Sequence, residues 1–100
     1  MNAAKLLEGS WTARWGNWAV GLRSCPTGWD VIVWRWPPNT ALTERVLIDQ
    51  WDGFKTTDEA VSWACDVMVT DGAVVHVLGA PPTFALKRVL SFSPAAEAVA

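Results

Sequence analysis

The chain has 100 residues, of which 51% are hydrophobic and 18% are charged, and its formal net charge is −2. This length and composition are typical of one globular domain, and they exclude a globally disordered chain, which would be poorer in apolar residues and richer in charge. A weakly negative chain has no overall field that attracts nucleic acid or anionic lipid, and no apolar run approaches the ~18 residues of a membrane span.

The N-terminal residues predict a short helix. Residues 2–8 can form two helical turns, with Asn2 as the N-cap and Gly9 as the C-terminal stop. So short a helix is marginal by itself and must pack against the rest of the protein to form. The segment contains one lysine and no long apolar core, so we do not expect it to be a signal peptide.

Two strand-like segments follow, at residues 11–15 and 18–23. They flank Gly16 and Asn17, a pair that suits a tight hairpin turn because such turns need positive φ. The alternative interpretation is one long strand with a bulge at Gly16.

The next segments predict a continuing antiparallel meander. Residues 25–28, Cys-Pro-Thr-Gly, have turn chemistry, because Pro presets φ and Gly accepts the left-handed region. Residues 29–36 are rich in β-branched and aromatic side chains and predict a strand that ends at Pro37. Residues 41–49 alternate apolar and polar side chains and predict another strand, which residues 51–53 are expected to break.

The segment after residue 55 has the signals of an amphipathic helix. Thr56 and Glu59 predict a capping box, in which each side chain satisfies a free backbone donor at the helix start. Gly72 supplies the C-terminal stop. Apolar residues recur on one side of this segment at helical spacing: Ala60, Val61, Ala64, Val67 and Met68.

The C-terminal part of the chain predicts two more strands, at residues 73–78 and 84–92. We expect one domain over residues 1–93 and a frayed tail over residues 94–100. The predicted fold is α+β, with an antiparallel sheet of about five strands and one amphipathic helix packed on one face. The predicted order is β-β-β-α-β-β after the short N-terminal helix.

The chain has eight tryptophans, and their placement predicts an apolar surface that one helix cannot cover. In the strand at residues 29–36, Val31 and Val33 face one side while Ile32 and Trp34 face the other, so both faces are apolar. A five-stranded sheet is ~24 Å wide and a helix only ~10–12 Å, so one helix covers less than half of one face. The N-terminal helix, curling of the sheet, self-association or a partner must cover the remainder.

We interpret this surface as a binding site, since exposed apolar patches on soluble proteins usually mark contact sites. Tryptophan and arginine are also the residue types most enriched in interface hot spots. The candidate binding residues are Trp11, Arg14, Trp15, Trp34, Arg35 and Trp36. Strand alternation predicts that Arg35 points away from its two tryptophan neighbours.

Single-stranded nucleic acid is the alternative ligand, because bases stack on aromatic rings while arginines hold phosphates. The arginines on predicted strands are Arg14, Arg23, Arg35 and Arg45. The negative net charge and the lack of an RRM-type signature of aromatic residues and glycine oppose this interpretation. A third interpretation is an aromatic cage for a small cation or a sugar.

The sequence lacks a recognisable catalytic or metal-binding constellation. His76 lies in an apolar segment with no nucleophile or carboxylate at a recognisable spacing, so we expect a half-buried structural histidine. Cys25 and Cys65 are expected to be free thiols in a reducing cytoplasm, and their spacing leaves a disulfide between them as the alternative. With one histidine in the chain, we expect no enzymatic activity, no metal and no cofactor.

These observations predict a non-enzymatic, cytoplasmic protein-binding module that acts through a Trp-rich sheet surface. A small stoichiometric inhibitor, an immunity-type protein and an assembly adaptor all fit this description. The expected partner is a larger protein or a second copy of the chain in a homodimer, with nucleic acid as the alternative and no membrane.

Overall fold

The computed structural model describes residues 10–37, 45–75 and 78–94. Its elements are β1 (Ser10–Trp15), β2 (Trp18–Cys25), β3 (Gly28–Arg35), β4 (Val46–Phe54), α1 (Thr57–Thr70), α2 (Pro82–Val89) and β5 (Ser93–Pro94). The strands form one antiparallel sheet in the order β4-β3-β2-β1-β5. The predicted α+β class and five-stranded antiparallel sheet are confirmed. The helix predicted at residues 2–8 lies outside the described residues.

The first three strands form the predicted meander with tight turns. Gly16 has a φ of 55°, and Trp15 pairs directly with Trp18 across the turn. The hairpin is therefore confirmed, and the alternative of one long bulged strand is wrong. Gly28 has a φ of 137°, and a Cβ at this position would lie 2.3 Å from the carbonyl oxygen of Phe54. Only glycine fits here, because both the backbone conformation and the space exclude a side chain.

The fourth strand lies further along the chain than the sequence predicts. The alternation of side chains predicts a strand at residues 41–49 with a break at residues 51–53, whereas β4 spans Val46–Phe54. One of two register shifts against β3 lies between the pairs Trp29–Phe54 and Val31–Trp51, so pairing continues through the expected break, where Gly53 has the positive φ of 82°. Backbone irregularities of this kind allow a strand to include turn-like residues. Residues 41–44 lie outside the described residues.

Helix α1 begins and ends as its sequence predicts. The Thr56 hydroxyl oxygen accepts a hydrogen bond of 3.1 Å from the Glu59 backbone N–H, which is one half of the predicted capping box. Beyond the helix, Gly72 has a φ of 115°, and the Ala73 N–H donates to the Met68 carbonyl at 2.9 Å. The buried residues of α1 are Ala60, Ala64, Cys65 and Met68.

The predicted strand at residues 84–92 is wrong, because most of this segment is helix α2. Pro82 occupies the first turn, where its fixed φ favours a helix, and Lys87 and Arg88 lie in the last turn, where the helix dipole favours cations. The strand predicted at residues 73–78 is also wrong for residues 73–75, which form no regular element. The observed order is therefore β-β-β-β-α-α-β.

Helix α2 packs on α1 through both apolar and polar contacts. Leu86 is fully buried and belongs to the same apolar cluster as the sheet and α1. The Thr83 hydroxyl donates to the Asp66 carboxylate at 2.8 Å, and the Lys87 ammonium donates to the Ser62 hydroxyl at 2.9 Å. The structure therefore has a second helix, α2, beside α1, whereas the sequence predicts a single amphipathic helix on the sheet.

The hydrophobic core lies between the helices and one face of the sheet. Its buried members are Val20, Leu22, Val31, Val33, Ala60, Ala64, Cys65, Met68, Ala73 and Leu86. Burial raises the pKa of the Cys65 thiol to about 11, so this thiol stays protonated and packs as a small apolar group. No helix within residues 10–37, 45–75 and 78–94 is long and apolar enough to cross a membrane.

Candidate binding face

The sheet face opposite α1 has no helix over it in the described part of the chain. We call it the open face, and the strand registers define its residues in cross-strand rows. One row is Arg14, Ala19, Trp34 and Leu47. The next rows are Thr12, Gly21, Ile32 and Gln50, and then Ser10, Arg23 and Asp30.

Two tryptophans and two arginines pair at one end of the open face. The Arg14 guanidinium carbon lies 4.5 Å from the centre of the Trp36 ring, and that of Arg45 lies 4.3 Å from the centre of the Trp34 ring. Both distances fall within the range of cation–π attraction. Each ring therefore attracts one guanidinium group, and we call these four residues the Trp–Arg cluster.

Gly21 creates the space that the Trp34 ring occupies. A Cβ on Gly21 would lie 3.2 Å from the Cη2 and Cζ3 atoms of Trp34 and 3.0 Å from Cγ2 of Ile32. Glycine inside a strand commonly marks such a close approach. The six-membered part of the indole thus lies against the backbone of β2, while Arg45 covers a face of the ring.

A groove of about 670 Å³ crosses the four long strands beside the Trp–Arg cluster. The row from Thr12 to Gln50 lines it, together with Trp34. Arg23 and Asp30, an ion pair with an N–O distance of 3.2 Å, line it as well. Trp51 of β4 also lines the groove, and 62% of its surface is exposed. The volume falls within the range of ligand-binding clefts, and the lining combines apolar and polar groups.

The structure brings three of the six predicted binding residues together. Arg14, Trp34 and Trp36 belong to the Trp–Arg cluster. Trp11 and Trp15 project from the other face and pack partly buried against the core, although Trp11 also lines the groove. The Trp15 indole N–H donates to the Val74 carbonyl at 3.2 Å. This hydrogen bond holds the Trp15 side chain on the helix side of the sheet.

Arg35 points away from the open face, as the alternation of β3 predicts. Its guanidinium donates to the Asp71 carboxylate at 2.7 Å, and the same oxygen accepts the Trp18 indole N–H at 2.9 Å. Asp71 follows the last turn of α1, so these bonds join the end of the helix to β2 and β3. Arg35 is a residue of the helix layer, not of the open face.

Several residues of the open face were not singled out from the sequence. Gly21, Ile32 and Gln50 form the middle of the groove. Trp51 also lines the groove, although it pairs with Val31 of the helix side and lies where the sequence predicts a strand break. The glycine inside an otherwise apolar strand is the one sequence signal that marks this place. The other residues become neighbours only through the register between strands.

Both edges of the sheet are poorly suited to the addition of another strand. β4 is irregular at two positions and exposes the carboxylates of Asp49 and Asp52. β5 has only two residues, one of which is Pro94. Bulges, charges, proline and short length each oppose edge-to-edge pairing. The broad face, and not an edge, is therefore the better candidate for docking.

Metal-binding geometry is absent from the described residues, which contain no group of three or more His, Cys, Asp or Glu side chains that could hold an ion. Cys25 and Cys65 are both free thiols. The Cys25 Sγ atom lies 3.2 Å from both the Gly28 carbonyl oxygen and an Asp30 carboxylate oxygen, so these two acceptors share its single S–H. His76 lies outside the described residues.

Comparisons of the chain with protein-family models, with curated proteins and with solved structures gave no match.

Proposed function

We propose that this chain is a non-enzymatic protein-binding module that docks a partner protein on the open face of its sheet. The observation that carries the proposal is the groove beside the Trp–Arg cluster, on a face that α1 and α2 leave uncovered in the described part of the chain. Interfaces typically combine an apolar pocket with Trp and Arg at its centre and polar groups around it. The open face supplies each of these features.

The exposed apolar groups of β4 extend this surface towards the edge of the sheet. Leu47 ends the row that contains Trp34 and is 50% exposed. Trp51 lies further along the same strand and lines the groove. Partner binding would remove these side chains from water, and burial of apolar area is the main favourable term in protein association.

Single-stranded nucleic acid is the second candidate, because Arg14, Arg23 and Arg45 all lie at the open face. Two observations make nucleic acid a weaker candidate than a protein partner. Trp34 has Arg45 over its ring and Gly21 below its edge, so a base has little room to stack on it. Arg23 is already paired with Asp30, which lowers the positive charge available to phosphates.

We propose that the module acts in the cytoplasm as a stoichiometric inhibitor, an immunity-type protein or an adaptor. The two free thiols fit a reducing compartment. A module of this kind needs one specific surface and no catalytic group, which agrees with the chemistry of the open face. Self-association through the same surface is the competing form of the proposal.

Site-specific photo-cross-linking in the source cell tests the proposal. A benzoylphenylalanine at Gln50, an exposed residue of the groove, is compared with the same group at Glu59, an exposed residue of α1. We expect a discrete protein adduct from position 50 that is absent from position 59. Equal adducts from both positions, or none from position 50, would contradict the proposal.

The mass and composition of the adduct separate the competing occupants. An adduct of twice the chain mass would identify a second copy as the occupant. An adduct that nuclease treatment removes would replace the protein partner with nucleic acid. Only a protein of different mass supports the docking of a foreign partner.

A further inference from the structure

We infer that the partner docks through an acidic segment, with carboxylates on Arg14 and Arg45 and an apolar side chain in the groove. This inference rests on the proposed function, because it names the chemistry of the occupant of the same face. The inference follows from the distribution of charge, from the contacts of two guanidinium groups with indole rings and from the shape of the groove.

The ion pairs of the described residues leave the arginines of the Trp–Arg cluster without a carboxylate. Arg23 pairs with Asp30, Arg35 with Asp71 and Lys87 with Asp58. Within residues 10–37, 45–75 and 78–94, Arg14 has a 3.3 Å hydrogen bond to the Gly16 carbonyl besides its ring contact, and Arg45 has its ring contact alone. An acidic partner would supply the missing counter-ions, although the chain as a whole carries a net charge of −2.

The ring contacts partly order the two guanidinium groups before any carboxylate binds. Each lies against an indole ring, so less side-chain freedom is lost when a carboxylate binds. The rings belong to Trp34 and Trp36, which are two positions apart and therefore ~7 Å apart along an extended backbone. Alternate residues of an extended partner segment have the same backbone spacing as Trp34 and Trp36. Arginine can also hold each carboxylate by two parallel hydrogen bonds.

The groove next to the cluster suits an apolar anchor of the same segment. Gly21 and Ile32 present little polar surface at its centre, and Trp34 and Trp51 line it. Its volume of about 670 Å³ exceeds the needs of one large side chain. Gln50, Thr12 and the Arg23–Asp30 pair offer polar groups around this apolar centre. An acidic segment with an aromatic or aliphatic residue therefore matches both parts of the face.

Selection from a displayed library of random 12-residue peptides tests the inference on the full chain. Three proteins are compared: the wild type, the double variant Arg14→Gln/Arg45→Gln, and the control Lys55→Gln/Arg88→Gln. The control removes two exposed cations from other parts of the chain, and Arg88 is likewise held near a ring, at 5.9 Å from the centre of Phe84. The control thus matches both the charge change and one cation–π contact.

We expect the wild type and the control to select peptides that combine acidic residues with an aromatic or aliphatic residue. A synthetic peptide from this selection should bind the Arg14→Gln/Arg45→Gln variant at least about tenfold more weakly than it binds the wild type. The loss of hot-spot contacts at an interface typically has an effect of this size. Replacement of its Asp and Glu by Asn and Gln should weaken binding similarly, and added salt should lower the affinity. Benzoylphenylalanine at Gln50 should cross-link to the peptide.

Three outcomes would overturn the inference, and they are distinguishable. Selected peptides that cross-link at Gln50 but have no acidic bias would reject the acidic segment and leave the proposed docking face intact. Peptides that do not cross-link at Gln50 would count against both the acidic segment and the proposed docking face. Displacement of the selected peptide by oligo(dT) at low micromolar concentration would identify nucleic acid as the preferred occupant.

Discussion

Alternate residues of β3 face two different environments. Val31 and Val33, at 2% and 0% exposure, lie against α1, whereas Ile32 and Trp34 are only partly buried on the open face. The helix side is a continuous apolar contact between sheet and helices. The open side instead pairs tryptophan rings with arginines beside a groove. The same strands thus supply a core on one side and a candidate docking surface on the other.

This difference predicts that the two faces respond differently to substitution. Side chains of the helix side exclude water from the core, so their loss should lower the free energy of unfolding. Side chains of the open face contribute fewer buried contacts and should chiefly affect partner binding. The following substitutions test this contrast, in order of decreasing expected effect on stability.

Met68→Ala should destabilise the protein most among the substitutions considered. Met68 is fully buried between α1 and the sheet, and truncation of a buried methionine costs about 2–5 kcal/mol through lost contacts and a cavity. Urea unfolding followed by circular dichroism measures the change. A loss below about 0.5 kcal/mol, the usual range for surface positions, would show that the helix side is not the main source of stability.

Asp71→Ala should have the next largest effect. The substitution leaves the Trp18 indole N–H and the Arg35 guanidinium without their common acceptor, and an unsatisfied, partly buried donor costs about 1–3 kcal/mol. Asp52→Ala removes an exposed carboxylate of β4 and is the matched control, with an expected change within about 0.5 kcal/mol. Equal changes in the two variants would mean that the Asp71 bonds do not join α1 to the sheet.

Thr56→Ala should cost about 1 kcal/mol, because the Glu59 N–H loses its side-chain acceptor at the start of α1. Thr56→Asp retains an acceptor and is expected to restore most of the lost stability. Thermal unfolding of the three proteins provides the comparison. A Thr56→Asp variant as unstable as Thr56→Ala would show that the cap does not stabilise the helix layer.

Trp51→Ala should have the smallest effect on stability, although it removes the largest type of side chain. Because 62% of Trp51 is exposed, we expect a change within about 0.5 kcal/mol, whereas a buried tryptophan would cost about 3–5 kcal/mol. The same variant should reduce cross-linking from Gln50 to the partner. A large loss of stability would place Trp51 in the core and remove it from the docking surface.

Local sequence signals predict part of this fold well. The turns at Gly16 and Gly28 and the cap at Thr56 have signals in the neighbouring sequence, and these elements are predicted correctly. β4 was misplaced because its pairing with β3 passes through irregular backbone around Gly53. Helix α2 was missed because the alternation of Phe84 and Leu86 resembles a strand, while Pro82 instead begins a helix.

The candidate site shows the same limit of local information. Trp34, Trp36 and Arg14 were predicted from residue type and strand alternation, and the structure brings them together. Arg35 was included by sequence proximity although its side chain projects to Asp71. The groove depends on the register that places Gly21 beside Ile32, which residue patterns along one strand do not determine.

The affinity of the cross-linked partner for Gly21→Val, measured by calorimetry together with the free energy of unfolding, tests the central claim most directly. The new side chain would enter the groove and displace the Trp34 ring, whose nearest atoms lie 3.2 Å from the position of a Cβ. We predict a stability cost of about 1–3 kcal/mol from overpacking and a loss of affinity of at least about tenfold. A folded Gly21→Val protein that binds the partner as tightly as the wild type would contradict the claim that this face is the docking site.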